Sequence, residues 1–380
     1  MIYLNNASTS FPKPPEVLEK VKDFIVQPPI NKDRSGVGDT NEDIAAKCRS
    51  NLKKIFHIKD DQSRIIFTSG STEALNLALL GLPLNEKHIV ASNAEHNSTI
   101  RPLNFLSETK NTEITKVNVN KHGNVDPDDI EKVMRDDTEL VCVSHCSNVT
   151  GALQDIKKIA KIAHEHGALV LVDGSQSAGI MDIDLDDMGI DLFAFTGHKS
   201  LYGLRGIGGI YIRKGIDLEP LKHGGTGILS AEPFQPEKLP HRYEAGTPNM
   251  PGIASLNAGI EWVLSKGYEE IGRKKERYVE YLTDEYKYND AVEVYNSPEN
   301  SSKTIFSFNL RDYTPQEVNY VLASSFDIHI RSGLHCAPWI RKDLGCGEFG
   351  TLRVSPSYFT TDEEIERFTE ALNMIINEGI

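Results

Sequence analysis

At 380 residues, 39% of them hydrophobic and 25% charged, the chain has the make-up of a soluble globular protein large enough for more than one domain. A formal net charge of −14 argues against nucleic acid or an anionic membrane as the main partner, and no apolar run is long enough to span a bilayer. The opening Met1-Ile2-Tyr3-Leu4-Asn5-Asn6 lacks the basic-then-apolar pattern of a signal peptide, so a cytoplasmic location is expected.

The five cysteines, Cys48, Cys142, Cys146, Cys336 and Cys346, are sparse and odd in number, which predicts reduced thiols, most of them buried and neutral. Cys142 and Cys146 flank His145, but no second ligand pair follows at zinc-finger spacing, so no metal site is expected.

In chain order, Pro14 to Phe24 predicts a helix, with Val17, Leu18, Val21 and Phe24 at helical spacing. Asn31 to Gly38 is a polar loop, and Glu42 to Phe56 a second amphipathic helix. Arg64 to Thr68 is a short apolar strand that ends in Ser69-Gly70-Ser71-Thr72-Glu73, ahead of an apolar helix from Ala74 to Leu80. Strand, small hydroxylated residues, then helix is a good phosphate cup, because helix-start N–H groups and hydroxyls converge on one anion. Ordinary N-capping by Ser71 or Thr72 is the plainer reading of the same residues.

Further strands are expected at His88–Ala91, Ile114–Val119, Leu140–Ser144, Ala168–Val172, Leu192–Thr196 and Gly209–Arg213, and helices at Pro127–Met134 and Ile156–Glu165. This alternation argues for a mainly parallel sheet covered by helices on both faces. From Pro240 the texture changes to a polar loop, Arg242 to Asn249, followed by helices over Pro251–Ser265 and Tyr268–Lys287. A smaller unit follows, with strands at Val292–Tyr295, Thr304–Leu310, Asp327–Arg331 and Thr351–Val354 and helices at Pro315–Ser324 and Glu363–Ile376. Thr361 with Glu364 is a capping box for the last helix. The expected architecture is α/β, a large domain over residues 15–255 with a small α/β domain over residues 1–14 and 256–380.

Polar residues recur just after the apolar strands: Ser71 and Thr72, His96, Asn148, Asp173 with Gln176, and His198 with Lys199. In a parallel sheet those strand ends share one edge, so the groups can converge. Each has a plain structural reading of its own. A buried-strand Asp such as Asp173, however, is costly without a cationic or protonated partner. A phosphate cup, an imidazole, a carboxylate and a lysine together describe a pyridoxal phosphate site.

The chain resembles the class V, fold-type I pyridoxal-phosphate enzymes, and within them the cysteine desulfurase and selenocysteine lyase family. The motifs that carry the resemblance are Gly70-Ser71-Thr72-Glu73-Ala74, Glu95-His96-Asn97-Ser98, His145-Cys146-Ser147-Asn148, Val172-Asp173-Gly174-Ser175-Gln176, Thr196-Gly197-His198-Lys199, Arg242 to Asn249, and Arg331 to Ala337. They keep family order over nearly the whole chain. The resemblance implies a fold-type I large domain with a mainly parallel seven-stranded sheet, and pyridoxal 5'-phosphate as cofactor.

By the same resemblance Lys199 would carry the cofactor through an imine and later remove the substrate's α-proton. Asp173 would hold the pyridinium and Gln176 the ring oxygen, while His96 would stack on the ring and shuttle protons. Ser71, Thr72, Thr196 and His198 would hold the phosphate, joined by Thr247 from the other subunit of a homodimer with shared active sites. Arg353 would take the substrate carboxylate, with Asn148 and Arg331 in the same pocket. Cys336, an exposed loop thiol beside His335 and near arginines, would be the nucleophile that accepts sulfur from L-cysteine, leaving alanine and a persulfide for an acceptor protein.

Three positions depart from the family pattern. Leu334 stands where many members have another histidine, Arg34 to Gly38 lacks a histidine found in some relatives, and Trp339-Ile340-Arg341-Lys342, close to Cys346, is unusual. The competing readings are selenocysteine lyase, cysteine sulfinate desulfinase, an aminotransferase, or a non-catalytic relative that only binds. A dinucleotide-binding dehydrogenase is the weakest, because the glycines from Gly203 to Gly209 lead into a strand rather than a helix.

Overall fold

A computed structural model describes residues 1–26 and 43–379. The expected polar loop Asn31–Gly38 and the first residue of the second expected helix, Glu42, lie outside the described residues.

The chain opens with β1 (Ile2–Tyr3), α1 (Pro15–Val26) and α2 (Ile44–Ile55), the last started by Asp43, whose carboxylate accepts from the Ala45 and Ala46 N–H groups. The large unit continues as β2 (Ile65–Thr68), α3 (Ser71–Gly81), β3 (His88–Ser92), α4 (Asn97–Lys110), β4 (Glu113–Val117) and α5 (Pro127–Glu131). It is completed by β5 (Thr138–Ser144), α6 (Ile156–Glu165), β6 (Leu169–Asp173), β7 (Leu192–Thr196), β8 (Gly208–Ile212) and α7 (Met250–Lys266). Helix α5 is three residues shorter than the sequence pattern suggested.

The seven strands order as β2-β8-β7-β6-β5-β3-β4, and β8 runs antiparallel to the other six. Alternation along each strand builds two cores. Val141, Val143, Val170, Val172, Phe193 and Phe195 face α2, α6 and α7, whereas Leu140, Cys142, Leu171, Leu192 and Ala194 face α3 and α4. With both faces buried, the strands read as continuous apolar runs, and the mainly parallel, doubly covered sheet is the one expected. Adjacent strand ends sit level, with Ser144 opposite Asp173 and Asp173 opposite Ala194, so the residues just beyond them crowd one edge.

The chain continues through the smaller unit as α8 (Tyr268–Tyr286), β9 (Val292–Val294), β10 (Phe306–Leu310), α9 (Pro315–Phe326), β11 (Ile328–His329), β12 (Arg331–Gly333), β13 (Thr351–Val354) and α11 (Asp362–Glu378), while α10 (Arg341–Leu344), between β12 and β13, packs back on the larger one. The expected strand Asp327–Arg331 is thus two strands. β11 pairs with β1, whereas β12 joins the four-stranded sheet β12-β13-β10-β9. Thr361 and Glu364 form the expected capping box, and Thr314 with Glu317 form a second one. The boundary drawn from the sequence between residues 255 and 256 falls inside α7, whose Ile253, Leu256, Ile260 and Val263 all lie in the large unit's core.

Helix α7 passes so close to the Lys199 turn that a Cβ on Gly259 would stand 2.0 Å from the Leu201 carbonyl oxygen. Gly259→Ala raises helix propensity, yet it is expected to destabilise the protein by about 2 kcal/mol, because a backbone atom cannot step aside as a side chain does. Thermal melts of the variant check this; a gain in melting temperature would show that the turn yields.

Candidate active site

The turn from Thr196 to Tyr202 is braced from the N-terminal segment. The Ser10 hydroxyl donates to the Lys199 carbonyl at 2.8 Å, and the Lys13 ammonium donates to the His198 carbonyl at 2.9 Å. Lys199 projects from this turn into a cleft of about 200 Å³. Eleven of the residues singled out from the sequence line that cleft together: Ser71, Thr72, His96, Asn148, Asp173, Gln176, Thr196, His198, Lys199, Arg331 and Arg353.

At one end lies the start of α3. Neither Ser71 nor Thr72 caps it, which overturns the plain capping reading. The capping position is Gly70, at φ 149°, and no side chain accepts from the first turn. The N–H groups of that turn are therefore left to an incoming anion. Around it stand Thr72, whose hydroxyl pairs with that of Ser98 at 2.8 Å, Thr196, and His198, whose buried Nδ1 has no hydrogen-bond partner. His198 is pulled down to about 4 by burial and by the Lys199, Lys13 and Arg205 charges, so its ring is neutral at physiological pH.

In the middle, Asp173 is 7% exposed at the end of β6, and its Oδ1 accepts from the Ser175 N–H at 2.9 Å and the Ser175 hydroxyl at 2.5 Å. Burial pulls Lys199 down to about 8; Asp173 opposes the shift, and Arg353 and Arg331 add to it. His96 begins α4 and accepts the Ser98 N–H on Nδ1 at 3.0 Å. It too is pulled down to about 4, by burial first and Lys199 second, and so presents a neutral ring. Gln176 reaches the cleft but donates to the Ala7 carbonyl at 2.9 Å.

At the other end two guanidiniums converge. Arg353, on β13 and 1% exposed, donates to the Asn148 carbonyl at 2.6 Å, to Asn5 Oδ1 at 3.1 Å and to the Ser8 hydroxyl at 2.9 Å, while its Nε has no partner. Arg331 Nη1 donates to the same Ser8 oxygen at 3.2 Å. Burial, followed by Arg331, brings Arg353 down to about 9. Two adjacent cations that meet on one neutral hydroxyl, with no acid among their hydrogen-bond partners in the described residues, can take a carboxylate from outside.

Cys336 stands beside the cleft rather than in its lining. It is half-buried, not exposed as expected, and its sulfur lies 3.3 Å from Arg331 Nη2. His335 does not help it. That ring is turned away toward the Thr351 carbonyl and hydroxyl, both at 3.0 Å, and burial holds it well below its ordinary value. Burial pushes the other four thiols upward, Cys146 to about 11. Cys346 is packed into the large unit's core. Thr247 is exposed and lies outside the cleft of its own chain.

Several lining residues escaped the sequence reading, among them Ser8, Ser98, Ser144, Ser175 and Cys146. Ser98 and Ser175 sit two residues after His96 and Asp173, so their motifs held the signal. Ser8 had none, because the two arginines it meets lie more than 300 residues away.

Beneath the site Glu95, 1% exposed, accepts from the Ser92 hydroxyl at 2.6 Å and from the Ser144 N–H and hydroxyl at 2.7 and 3.0 Å. Burial, with Asp173 adding, raises it from 4.5 to about 7. A folded value above the unfolded one means that its stabilising contribution is complete below pH 4.5 and is lost as pH rises through about 7. Glu95→Gln keeps the acceptor oxygen without the charge, so its melting temperature relative to the parent is expected to climb from about pH 4.5 to about pH 7 and to level off above that. A difference independent of pH would show that Glu95 does not titrate there.

A lysine on a braced turn facing a carboxylate, at the strand-end edge of a mainly parallel sheet, defines a fold-type I site. A family model described as aminotransferase class-V matches residues 2–368, and the chain belongs to that family. A probable cysteine desulfurase of Methanothermobacter thermautotrophicus is 34% identical over 100% of this chain and 95% of its own length. One from Halalkalibacterium halodurans is 32% identical over 98% of this chain and 92% of its own. Among solved structures, the apo cysteine desulfurase from Thermococcus onnurineus NA1 superposes with a TM-score of 0.88 at 30% identity, covering 100% of this chain and 95% of that one.

Proposed function

We propose that the protein is a pyridoxal-phosphate-dependent cysteine desulfurase that converts L-cysteine to L-alanine and carries the sulfur on Cys336. The observation behind this reading is the shared guanidinium: Arg331 touches the Cys336 sulfur with one nitrogen and, beside Arg353, points the other into the cleft that holds Lys199.

The cleft fits the cofactor on its own evidence. An uncapped helix start, the hydroxyls of Thr72 and Thr196 and the unpartnered His198 Nδ1 suit a phosphate, with Ser71 beside them. Asp173 suits a protonated ring nitrogen, Gln176 the ring oxygen, and neutral His96 a stacked ring. When bound there, pyridoxal phosphate supplies a carbonyl carbon for an amine and a ring that accepts an electron pair.

The chain's own groups do the rest. Arg353, with Arg331 and Asn148, binds the α-carboxylate and so fixes which Cα bond faces Lys199. Lys199, an amine made weakly basic by burial, removes the α-proton. The Cys336 sulfur, set 3.3 Å from Arg331 Nη2, gives up its proton and attacks the substrate sulfur. An S–S bond forms, the Cβ–S bond breaks with its electron pair left on carbon, and protonation there yields alanine.

The reading includes a homodimer in which Thr247, exposed in one chain, reaches the phosphate of its partner, and an acceptor protein that takes the persulfide sulfur. Alanine formation from L-cysteine, compared with selenocysteine and cysteine sulfinate, tests it. Cysteine is expected to yield alanine and enzyme-bound persulfide in equal amounts. Alanine only from the sulfinate, or none from cysteine, would replace this reading with another reaction of the family.

A further inference from the structure

The segment after Cys336 leaves the smaller unit and is built into the larger one. Ala337, Ile340 and Leu344 are buried in the core shared with α2, α6 and α7. The Lys116 ammonium lies over the Trp339 ring at 4.1 Å. Between these anchors, on α10, Asp343 Oδ2 accepts from Asn93 Nδ2 and from the Val119 N–H, both at 2.9 Å. Asn93 directly follows β3, and Val119 lies just past β4. The unusual Trp339–Lys342 stretch is therefore part of a strap that crosses the strand-end edge of the main sheet.

Upstream, the loop is held differently. The His335 ring is bonded to Thr351 of β13, the His335 carbonyl accepts from Asn148 Nδ2 at 2.6 Å, and the Cys336 carbonyl accepts from the Asn97 N–H at 2.7 Å. Between the two sets of anchors, His335 and Cys336 are both left-handed, at φ 50° and 60°. Each such residue without glycine costs about 1 kcal/mol or more, and two in succession persist only where the flanking chain over-determines them. This backbone is what turns the sulfur toward Arg331 rather than toward solvent.

We propose that Asp343 is a positioning residue for sulfur transfer. By clamping the strap to Asn93 and Val119, it sustains the left-handed pair that aims Cys336. The proposal rests on the reading of Cys336 as the sulfur acceptor, and its test separates the two.

The holoenzyme offers two readouts that share Lys199 and the carboxylate-binding arginines but differ in their need for Cys336. One is alanine formation from L-cysteine; the other is exchange of the L-alanine α-proton with deuterium oxide, followed by NMR. A displacement of about 1 Å is expected to make Asp343→Ala lose about tenfold or more in the first while it stays within about twofold in the second. Asp343→Asn, which keeps an acceptor oxygen, is expected to recover the first to within about threefold. If Asp343→Ala does not fold, Asn93→Ala removes one of the two partners and is expected to show the same split. An unchanged desulfuration rate, or a parallel fall of both readouts, overturns the positioning role. Cys336→Ala runs alongside, and if it shows no split, the reading of Cys336 fails instead.

Discussion

Lys199→Ala is expected to lower alanine formation from L-cysteine by about 10⁴-fold or more, since on the proposed mechanism one amine both carries the cofactor and moves the α-proton. The fold supplies the reason this amine is suited to both tasks. It is braced at its backbone by Ser10, faces Asp173, and is pulled down to about 8 by burial. At pH 7 a group at 8 is neutral about one time in ten, against about one in three thousand for an ordinary lysine. In protein stripped of cofactor, the rate of reconstitution with pyridoxal phosphate is therefore expected to rise with pH up to about 8 and then level off. The absorbance of the bound imine follows that rate, and the same band should be missing in Lys199→Ala. A variant that keeps the band, or a tenth of the parent's turnover, would remove Lys199 from the centre of the mechanism.

Cys336→Ala is expected to lose about 10³-fold in alanine formation while it binds cofactor and exchanges the α-proton of alanine as the parent does. The loss should be confined to sulfur transfer because Cys336 lies outside the lining of the cleft, with its sulfur against Arg331 at the edge. Persulfide, read as labelled thiol on the purified enzyme after exposure to cysteine, should vanish with the side chain. Persistence of labelled persulfide in the variant would hand the role to another thiol. Burial holds Cys146, which does line the cleft, up at about 11, a poor starting point for that role.

Much of the fold was legible because the inner strands of the large unit are apolar on both faces and helices such as α6 are capped and amphipathic. Leu140 to Ser144 and Leu169 to Asp173 are examples, and their periodicity is local. The convergence of Thr72, His96, Asp173 and Lys199 was legible for a related reason. Once strands are parallel and in register, the residues that follow them must share an edge. Where the reading went astray, a distant partner decided the outcome. Ile328–His329 split from Arg331–Gly333 because β1 pairs with the first and β13 with the second. His335, read as an aid to the thiol, is instead bound to Thr351.

By itself, the sequence determined the sheet, its two helical layers and the set of groups along its edge, because each depends on residues within a few positions of one another. Tertiary structure alone decided how the substrate end of the site is finished. Ser8 meets Arg353 across 345 positions, and Asp343 meets Asn93 across 250. Both are contacts between segments that lie far apart in the chain. No local pattern encodes such contacts, and they form only once both cores have packed.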